Sequence, residues 1–404
     1  MKKNLLAATS IAVIATLFFA STPASAASNY SAEVVHVFNS SNDGSRSPVD
    51  IADINGTQSL LKLGDGSLWV TDGTDAGTLD VSQAANLAGL NTAYFSPSLG
   101  SVESVSIDEK LYFKGEDSSN DLFIWSFDGS VFTKLNANFF NFISALYNVD
   151  GQLYLWGRYD DNANQGFYQV DISTGSVLEI ATGSECDGSI NGPENAQLLN
   201  GKVIFANDPD NNCRYDLFSF DPADPSAPAV NVTGSRTDLF DSSVNNGEYI
   251  PFDRSWIVLN GELLFAANVL DGETNSIGQE LVATDGTSGG THLVKDILAG
   301  AESSAPADMY AMWFTRVGEK VYFSAYDGSE TVVYETDGTT EGTVQAVNPS
   351  TAIYPNGNIQ GPGLEVAGKL FLSLQNDSTE QEYFVSDGTD AGTSILNDIY
   401  AGID

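Results

Sequence analysis

One phrase returns four times in this chain almost unchanged. Thr-Asp-Gly-Thr-Asp-Ala-Gly-Thr at 71–78 recurs as Thr-Asp-Gly-Thr-Ser-Gly-Gly-Thr at 284–291, Thr-Asp-Gly-Thr-Thr-Glu-Gly-Thr at 336–343 and Ser-Asp-Gly-Thr-Asp-Ala-Gly-Thr at 386–393. Weaker copies stand between the first and second, at Phe127-Asp128-Gly129, at Val170-Asp171 with Gly175, and at Phe220-Asp221. The aspartates Asp72, Asp128, Asp171, Asp221, Asp285, Asp337 and Asp387 follow one another at intervals of about fifty residues, the period of a propeller blade. A unit of that length cannot bury both faces alone and must stack on its neighbours.

Each copy has the same internal grammar. A short strand precedes the Asp-Gly, as in Leu68-Trp69-Val70, Phe123-Ile124-Trp125 and Glu382-Tyr383-Phe384. Before that comes a tight turn and an apolar run, as in Asn200-Gly201-Lys202-Val203-Ile204-Phe205 and Asn260-Gly261-Glu262-Leu263-Leu264-Phe265. An Asn-Gly step between two runs of β-formers signals a hairpin, because both residues tolerate positive φ. A fourth strand follows the second turn, as in His292-Leu293-Val294-Lys295. In the turn itself the Asp side chain is expected to accept backbone N–H bonds and the Gly to take the left-handed angle.

The expected architecture is therefore all-β, a seven-bladed β-propeller of four-stranded blades over residues 49–404. Residues 27–48 form an N-terminal segment whose stretch 33–38 would add a closing strand. Two separate domains or an open solenoid are the alternatives. Phe113, Phe205, Phe265, Phe323, Phe371 and Trp69 are expected in the core between blades.

The fullest phrase runs Glu280-Leu281-Val282-Ala283-Thr284-Asp285-Gly286-Thr287 and on through Gly290-Thr291-His292-Leu293-Val294-Lys295-Asp296-Ile297. It resembles the ELWxxDGT-type (hyalin-like) repeat of secreted bacterial proteins, with Trp69 keeping the pattern's Trp and Val282 and Tyr334 departing from it. The resemblance implies a propeller-like array on large surface or extracellular proteins and carries no shared activity.

The amino terminus agrees with export. Lys2 and Lys3 precede an uncharged apolar run that ends in Ala24-Ser25-Ala26, the order of a basic region, an apolar core and a small-residue cleavage site, so residues 1–26 read as a signal peptide. The expected location is secreted or at the cell surface, with the periplasm as the alternative. Cys186 and Cys213 are the only cysteines and in an oxidising compartment are expected to form one disulfide. No later stretch is long and apolar enough to span a bilayer.

Charge then narrows the partners. With 54 acidic against 16 basic side chains the formal net charge is −38, which repels nucleic-acid phosphates and anionic headgroups and suits a saline exterior. The 42% hydrophobic and 11% aromatic content is ample for a packed core, so the charge does not imply disorder.

The search for chemistry returns little. His36 and His292 are the only histidines, and there is no nucleophile elbow, zinc signature or phosphate loop. Calcium is the one cofactor the carboxylates suggest, with Asp43, Asp50, Asp53 and Asn55 around glycine turns as candidate ligands, although their spacing is not that of an EF-hand. Arg158, Arg254 and Arg316 stand beside Trp156, Trp256 and Trp313, a pairing that would suit ligand binding. The reading that follows is an exported non-catalytic binding or surface-structural propeller that contacts polysaccharide or a cell-surface or matrix protein. Its alternative is a secreted polysaccharide lyase or glycoside hydrolase with its site on one propeller face.

Overall fold

The computed structural model describes residues 48–92, 104–159, 165–183, 196–209, 215–240, 256–272, 275–304, 312–349, 358–359, 363–375 and 381–396. They fold into antiparallel sheets in which strands that are consecutive in sequence lie side by side. Two compact units, residues 1–179 and 180–404, share the chain.

In the first unit β1 (Pro48–Asp53), β2 (Ser59–Leu63), β3 (Leu68–Thr71) and β4 (Leu79–Asp80) make a four-stranded sheet, and a short helix α1 (Ser82–Ala88) follows. An eight-stranded sheet comes next. It contains β5 (Ser104–Ile107), β6 (Lys110–Glu116), β7 (Leu122–Phe127) and β8 (Phe132–Lys134), then β9 (Phe140–Val149), β10 (Gln152–Tyr159), β11 (Gln165–Val170) and β12 (Val177–Gly183), within which the unit boundary falls. Its two meanders join where Leu122 pairs with Phe140.

In the second unit β13 (Ala196–Leu199), β14 (Lys202–Asn207), β15 (Asp216–Phe220) and β16 (Val230–Asn231) form one four-stranded sheet. A second holds β17 (Ile257–Leu259), β18 (Glu262–Leu270), β19 (Ser276–Thr284) and β20 (His292–Lys295). The third holds β21 (Phe314–Val317), β22 (Lys320–Tyr326), β23 (Thr331–Thr336) and β24 (Val344–Val347). In the last sheet β25 (Asn358–Ile359) and β26 (Leu364–Val366) both pair with β27 (Lys369–Gln375), which leads to β28 (Gln381–Ser386) and β29 (Ser394–Ile395).

The register explains why these strands read as continuous apolar runs. On β18, Leu263, Phe265 and Ala267 enter a core shared with Ile204, Ala206 and Leu217 of the preceding sheet. Their neighbours Leu264 and Ala266 enter a different core with Val321, Phe323 and Ala325 of the following one. Because side chains alternate across a strand, one strand feeding two cores means a sheet covered on both faces. The first unit repeats this: Leu111, Phe113 and Trp125 pack against Leu60 and Val70, while Tyr112 and Ile124 pack against Leu146, Leu155 and Tyr168. Each fully buried Phe of this kind stabilises the fold by about 2–3 kcal/mol. Phe113, Phe205, Phe265 and Phe323 are core residues as expected, whereas Trp69 and Phe371 are only half-buried.

The chain is thus all-β and propeller-like. Among the described residues no helix is long and apolar enough to cross a membrane. The signal peptide, the segment 33–38, Asp43, Arg254, Cys186 and Cys213 lie outside the described residues.

Candidate functional site

The four strong phrases fold into one hydrogen-bond network repeated nearly atom for atom. In the turn between β23 and β24 the buried Thr336 and Thr343 hydroxyls meet at 2.7 Å, and Gly338 N–H donates to Thr336 Oγ1 at 3.0 Å. Asp337 Oδ1 accepts from Thr339 N–H at 2.9 Å and from Thr339 Oγ1 at 2.7 Å. The same Thr339 hydroxyl accepts from Gly342 N–H at 2.9 Å, and Thr343 Oγ1 donates to Thr339 O at 2.6 Å. The corresponding bonds join Asp72 to Thr74, Asp285 to Thr287 and Asp387 to Thr389. The buried hydroxyls and the Gly338, Thr339 and Gly342 N–H groups of the turn thereby have partners inside it, which helps a loop to stand on a buried sheet.

These bonds set the electrostatics. The hydroxyls of Thr74, Thr339 and Thr389 hold the carboxyls of Asp72, Asp337 and Asp387 below the usual aspartate value. In the turn between β11 and β12 the Ser173 hydroxyl, helped by its N–H, brings Asp171 down to about 2. A carboxyl whose folded value is depressed stabilises the fold above its unfolded value, and that stability is lost as pH falls through the folded value. Turn loosening is therefore expected to begin below about pH 4 and to continue toward pH 2. Ser173→Ala should return Asp171 toward the ordinary value in a carboxyl-carbon NMR titration, and an unmoved titration would assign the shift to another cause.

The scarce cations serve the fold. Arg236 pairs with Asp238 at 2.9 Å and donates to the carbonyl oxygens of Ser288 and Thr291 in the turn of the following sheet. Lys295 does the same to Thr343 O one sheet further on, while Thr340 Oγ1 returns a bond to Val294 O at 2.7 Å. Asn200 and Asn260, from the Asn-Gly hairpins, reach Asp285 O at 3.0 Å and Asp337 O at 3.1 Å. The turns at 284–291 and 336–343 are thus latched to the sheet before them.

The residues singled out from sequence are not brought together. Trp156 is fully buried on β10 and donates its indole N–H to Gln165 Oε1 at 3.2 Å. Arg158 lies over the Phe142 ring at 5.8 Å. Trp256 belongs to the core that holds Phe265. Trp313 lines a recess of about 10 Å³, room for about one water, with Thr315, Tyr322, Ser324, Ile359 and Gly363, far below the size of ligand cavities. Arg316 donates to Gly318 O at 3.0 Å and Val258 O at 3.4 Å. Among the described residues these pairs form no exposed aromatic platform with a cation beside it.

The candidate calcium ligands also face other tasks. Asp50 is paired across the ladder with Lys62. Asp53 accepts from Gly56 N–H at 3.0 Å, and Asn55 Oδ1 accepts from Thr57 N–H at 3.0 Å and Gln58 N–H at 2.9 Å. The Asp53 and Asn55 oxygens cap the β1–β2 turn, and among the described residues no three His, Cys, Asp or Glu side chains gather to hold a metal ion.

Sequence reasoning missed one residue of consequence. Glu280, on β19 five positions before Asp285, is completely buried. It accepts from Ile297 N–H at 2.8 Å and from the Ser304 hydroxyl at 2.7 Å and N–H at 3.3 Å, clamping the connection that leaves this sheet. Burial pushes its carboxyl up to about 8, the Ile297 and Ser304 bonds pull it back, and the charge of Asp296 adds to the rise. The available signal was a Glu in mid-strand, directly before the apolar run Leu281-Val282-Ala283.

No protein-family profile matches the chain, and no curated protein does. Solved structures do. Puromycin hydrolase is 16% identical with a TM-score of 0.41, over 81% of this chain and 48% of that one. The β-propeller domain of the Trilobed protease from Pyrococcus furiosus is 12% identical with a TM-score of 0.39, over 88% of this chain and 99% of that one. BamB from Moraxella catarrhalis is 12% identical with a TM-score of 0.42, over 87% and 84%. The chain spans about half the length of puromycin hydrolase, and at these identities the likeness is one of fold. The expectation of a non-catalytic binder of polysaccharide or surface protein, and its lyase or glycoside hydrolase alternative, is corrected on the structure itself: Trp156 and Trp256, which would have met a glycan, are core residues, and Trp313 lines the small recess.

Proposed function

We propose that the protein is a peptidase-type propeller that engages cationic polypeptide. The observation that carries this reading is the disposition of charge. Lys114, Lys134, Arg236, Lys295, Arg316 and Lys320 all donate to carbonyl or carboxylate oxygens of the fold. The turn carboxylates Asp72, Asp337 and Asp387 stand at the exposed surface and stay ionised into acid. With a net charge of −38, the field outside the molecule is negative and draws in a polymer of positive charge.

The same proposal takes the eight-stranded sheet as two blades joined at one bridge, which makes seven blades in all, and reads the repeats as ELWxxDGT-type and residues 1–26 as an export leader. A labelled Lys-rich peptide, a neutral peptide and an oligosaccharide tested by anisotropy decide the ligand class, with mass analysis of the peptide after incubation to detect cleavage. The cationic peptide should bind alone of the three, and its affinity should fall steeply between low and high salt. Equal binding of the neutral peptide would overturn the reading.

A further inference from the structure

The turn between β1 and β2 holds an Asn-Gly step in a setting that the other Asn-Gly steps among the described residues, at 200–201 and 260–261, lack. Gly56 N–H points at the Asp53 carboxylate, 3.0 Å from both oxygens. The Asn55 side-chain carbonyl accepts three donors, Thr57 Oγ1 at 2.8 Å, Gln58 N–H at 2.9 Å and Thr57 N–H at 3.0 Å. A nitrogen held by a base, next to an amide carbonyl whose oxygen is ringed by donors, is the arrangement that acyl chemistry uses: general base on one side, oxyanion stabilisation on the other.

We propose that Asn55 is a self-modification site at which the turn deamidates its own asparagine. The Gly56 nitrogen adds its lone pair to Asn55 Cγ as its proton passes to the Asp53 carboxylate. The carbonyl electrons move onto Oδ1, where Thr57 and Gln58 stabilise them. Collapse re-forms the carbonyl and breaks the Cγ–Nδ2 bond, and Nδ2 leaves as ammonia with the proton returned from Asp53. Water then opens the cyclic imide at either carbonyl, giving aspartate or isoaspartate at position 55.

The Asn-Gly steps at 200–201 and 260–261 are internal controls. Asn200 Nδ2 is tied to Gly261 O at 2.9 Å and Asp285 O at 3.0 Å, and Asn260 Nδ2 to Asp337 O at 3.1 Å, so their amides are engaged by neighbouring turns. The modification also has a structural consequence. Ser106 Oγ on β5 donates to Asp53 O at 2.6 Å, and an isoaspartyl link lengthens the backbone of the turn that presents this oxygen.

Peptide mapping by mass spectrometry after incubation at neutral pH tests the proposal on the full chain. Asn55 should deamidate several-fold faster than Asn200 and Asn260, and Asp53→Asn should slow it by roughly tenfold or more, as loss of a positioned base does. Thr57→Val, which leaves Asp53 in place, should slow it by a smaller factor. Equal rates at Asn55, Asn200 and Asn260, or a rate at Asn55 that neither substitution changes, would overturn it.

Discussion

Gly290→Ala should destabilise the second unit by about 2–4 kcal/mol in denaturant unfolding, while Gly289→Ala, one residue away, should change stability by less than ~0.5 kcal/mol. A Cβ on Gly290 would lie 2.2 Å from Cγ and from Oδ1 of Asp285. That carboxylate cannot step aside without cost, because it is held by Thr287 N–H at 2.8 Å and Thr287 Oγ1 at 2.6 Å. Either the aspartate leaves its two bonds, each worth about 1.5–3 kcal/mol when an ionised group is involved and less at the surface, or the turn lifts away from Arg236 and the latch opens. At Gly289 nothing lies within 4 Å of a built Cβ, and two of the other phrases already carry Ala there, as Ala76 and Ala391. Removing the obstacle tests the cause: Asp285→Ala combined with Gly290→Ala should cost less than the two changes added together. Equal effects at the two glycines would mean that the carboxylate does not fix the turn.

The same contact shows how far the sequence could be read. The phrase signalled a turn, and the roles of Asp337 as acceptor and Gly338 as a left-handed residue, φ 95°, follow from residue type alone. The second glycine of the phrase was a different matter. Its reason is a carboxylate pressed onto its Cα, a contact that propensity does not encode. Strand order was legible because Asn-Gly and Asp-Gly hairpins leave no choice of neighbour, and both Asn260 and Gly261 take positive φ. Which face each strand side covers was not, since strands buried on both sides lose the alternation that marks inside from outside.

The site candidates drew on a related ambiguity. Trp156 and Arg158 sit two apart on one strand and suggested a ligand platform, yet in a sheet covered on both faces an aromatic at that spacing is packing. Scarcity also misled. Few basic residues drew attention to Arg316 and Arg254, whereas Arg236, which joins one sheet to the turn of the next, had no aromatic beside it to mark it.

Glu280→Gln should change the pH dependence of stability more than any surface charge substitution. The folded carboxyl titrates at about 8 against an ordinary 4.5, so between those values the native state binds a proton that the unfolded state has lost. Stability from this group is therefore complete below about pH 4.5 and falls as pH rises toward 8, by up to about 1.4 kcal/mol per unit, beyond which the loss is constant. The titratable neighbours are Asp296, on the clamped connection, and Tyr334, on β23, both shifted upward by burial first. Neither supplies a positive charge to an ionised Glu280. Glutamine keeps a carbonyl oxygen for Ile297 N–H and the Ser304 hydroxyl, gives up the long Ser304 N–H bond and cannot ionise, so the variant should lie at or slightly below the wild type near pH 5 and exceed it by a few kcal/mol near pH 9. Hydrogen exchange at the Ile297 and Ser304 amides locates the effect: after correction for base catalysis, protection should fall with rising pH in the wild type and stay level in Glu280→Gln. Together with the acid loosening of the Asp turns, this places maximal stability on the mildly acidic side of neutrality, where the turn carboxylates are ionised and the buried one is not. A stability maximum above pH 8, or parallel profiles for the two proteins, would show that Glu280 is ionised in the folded state and that its donors outweigh its burial.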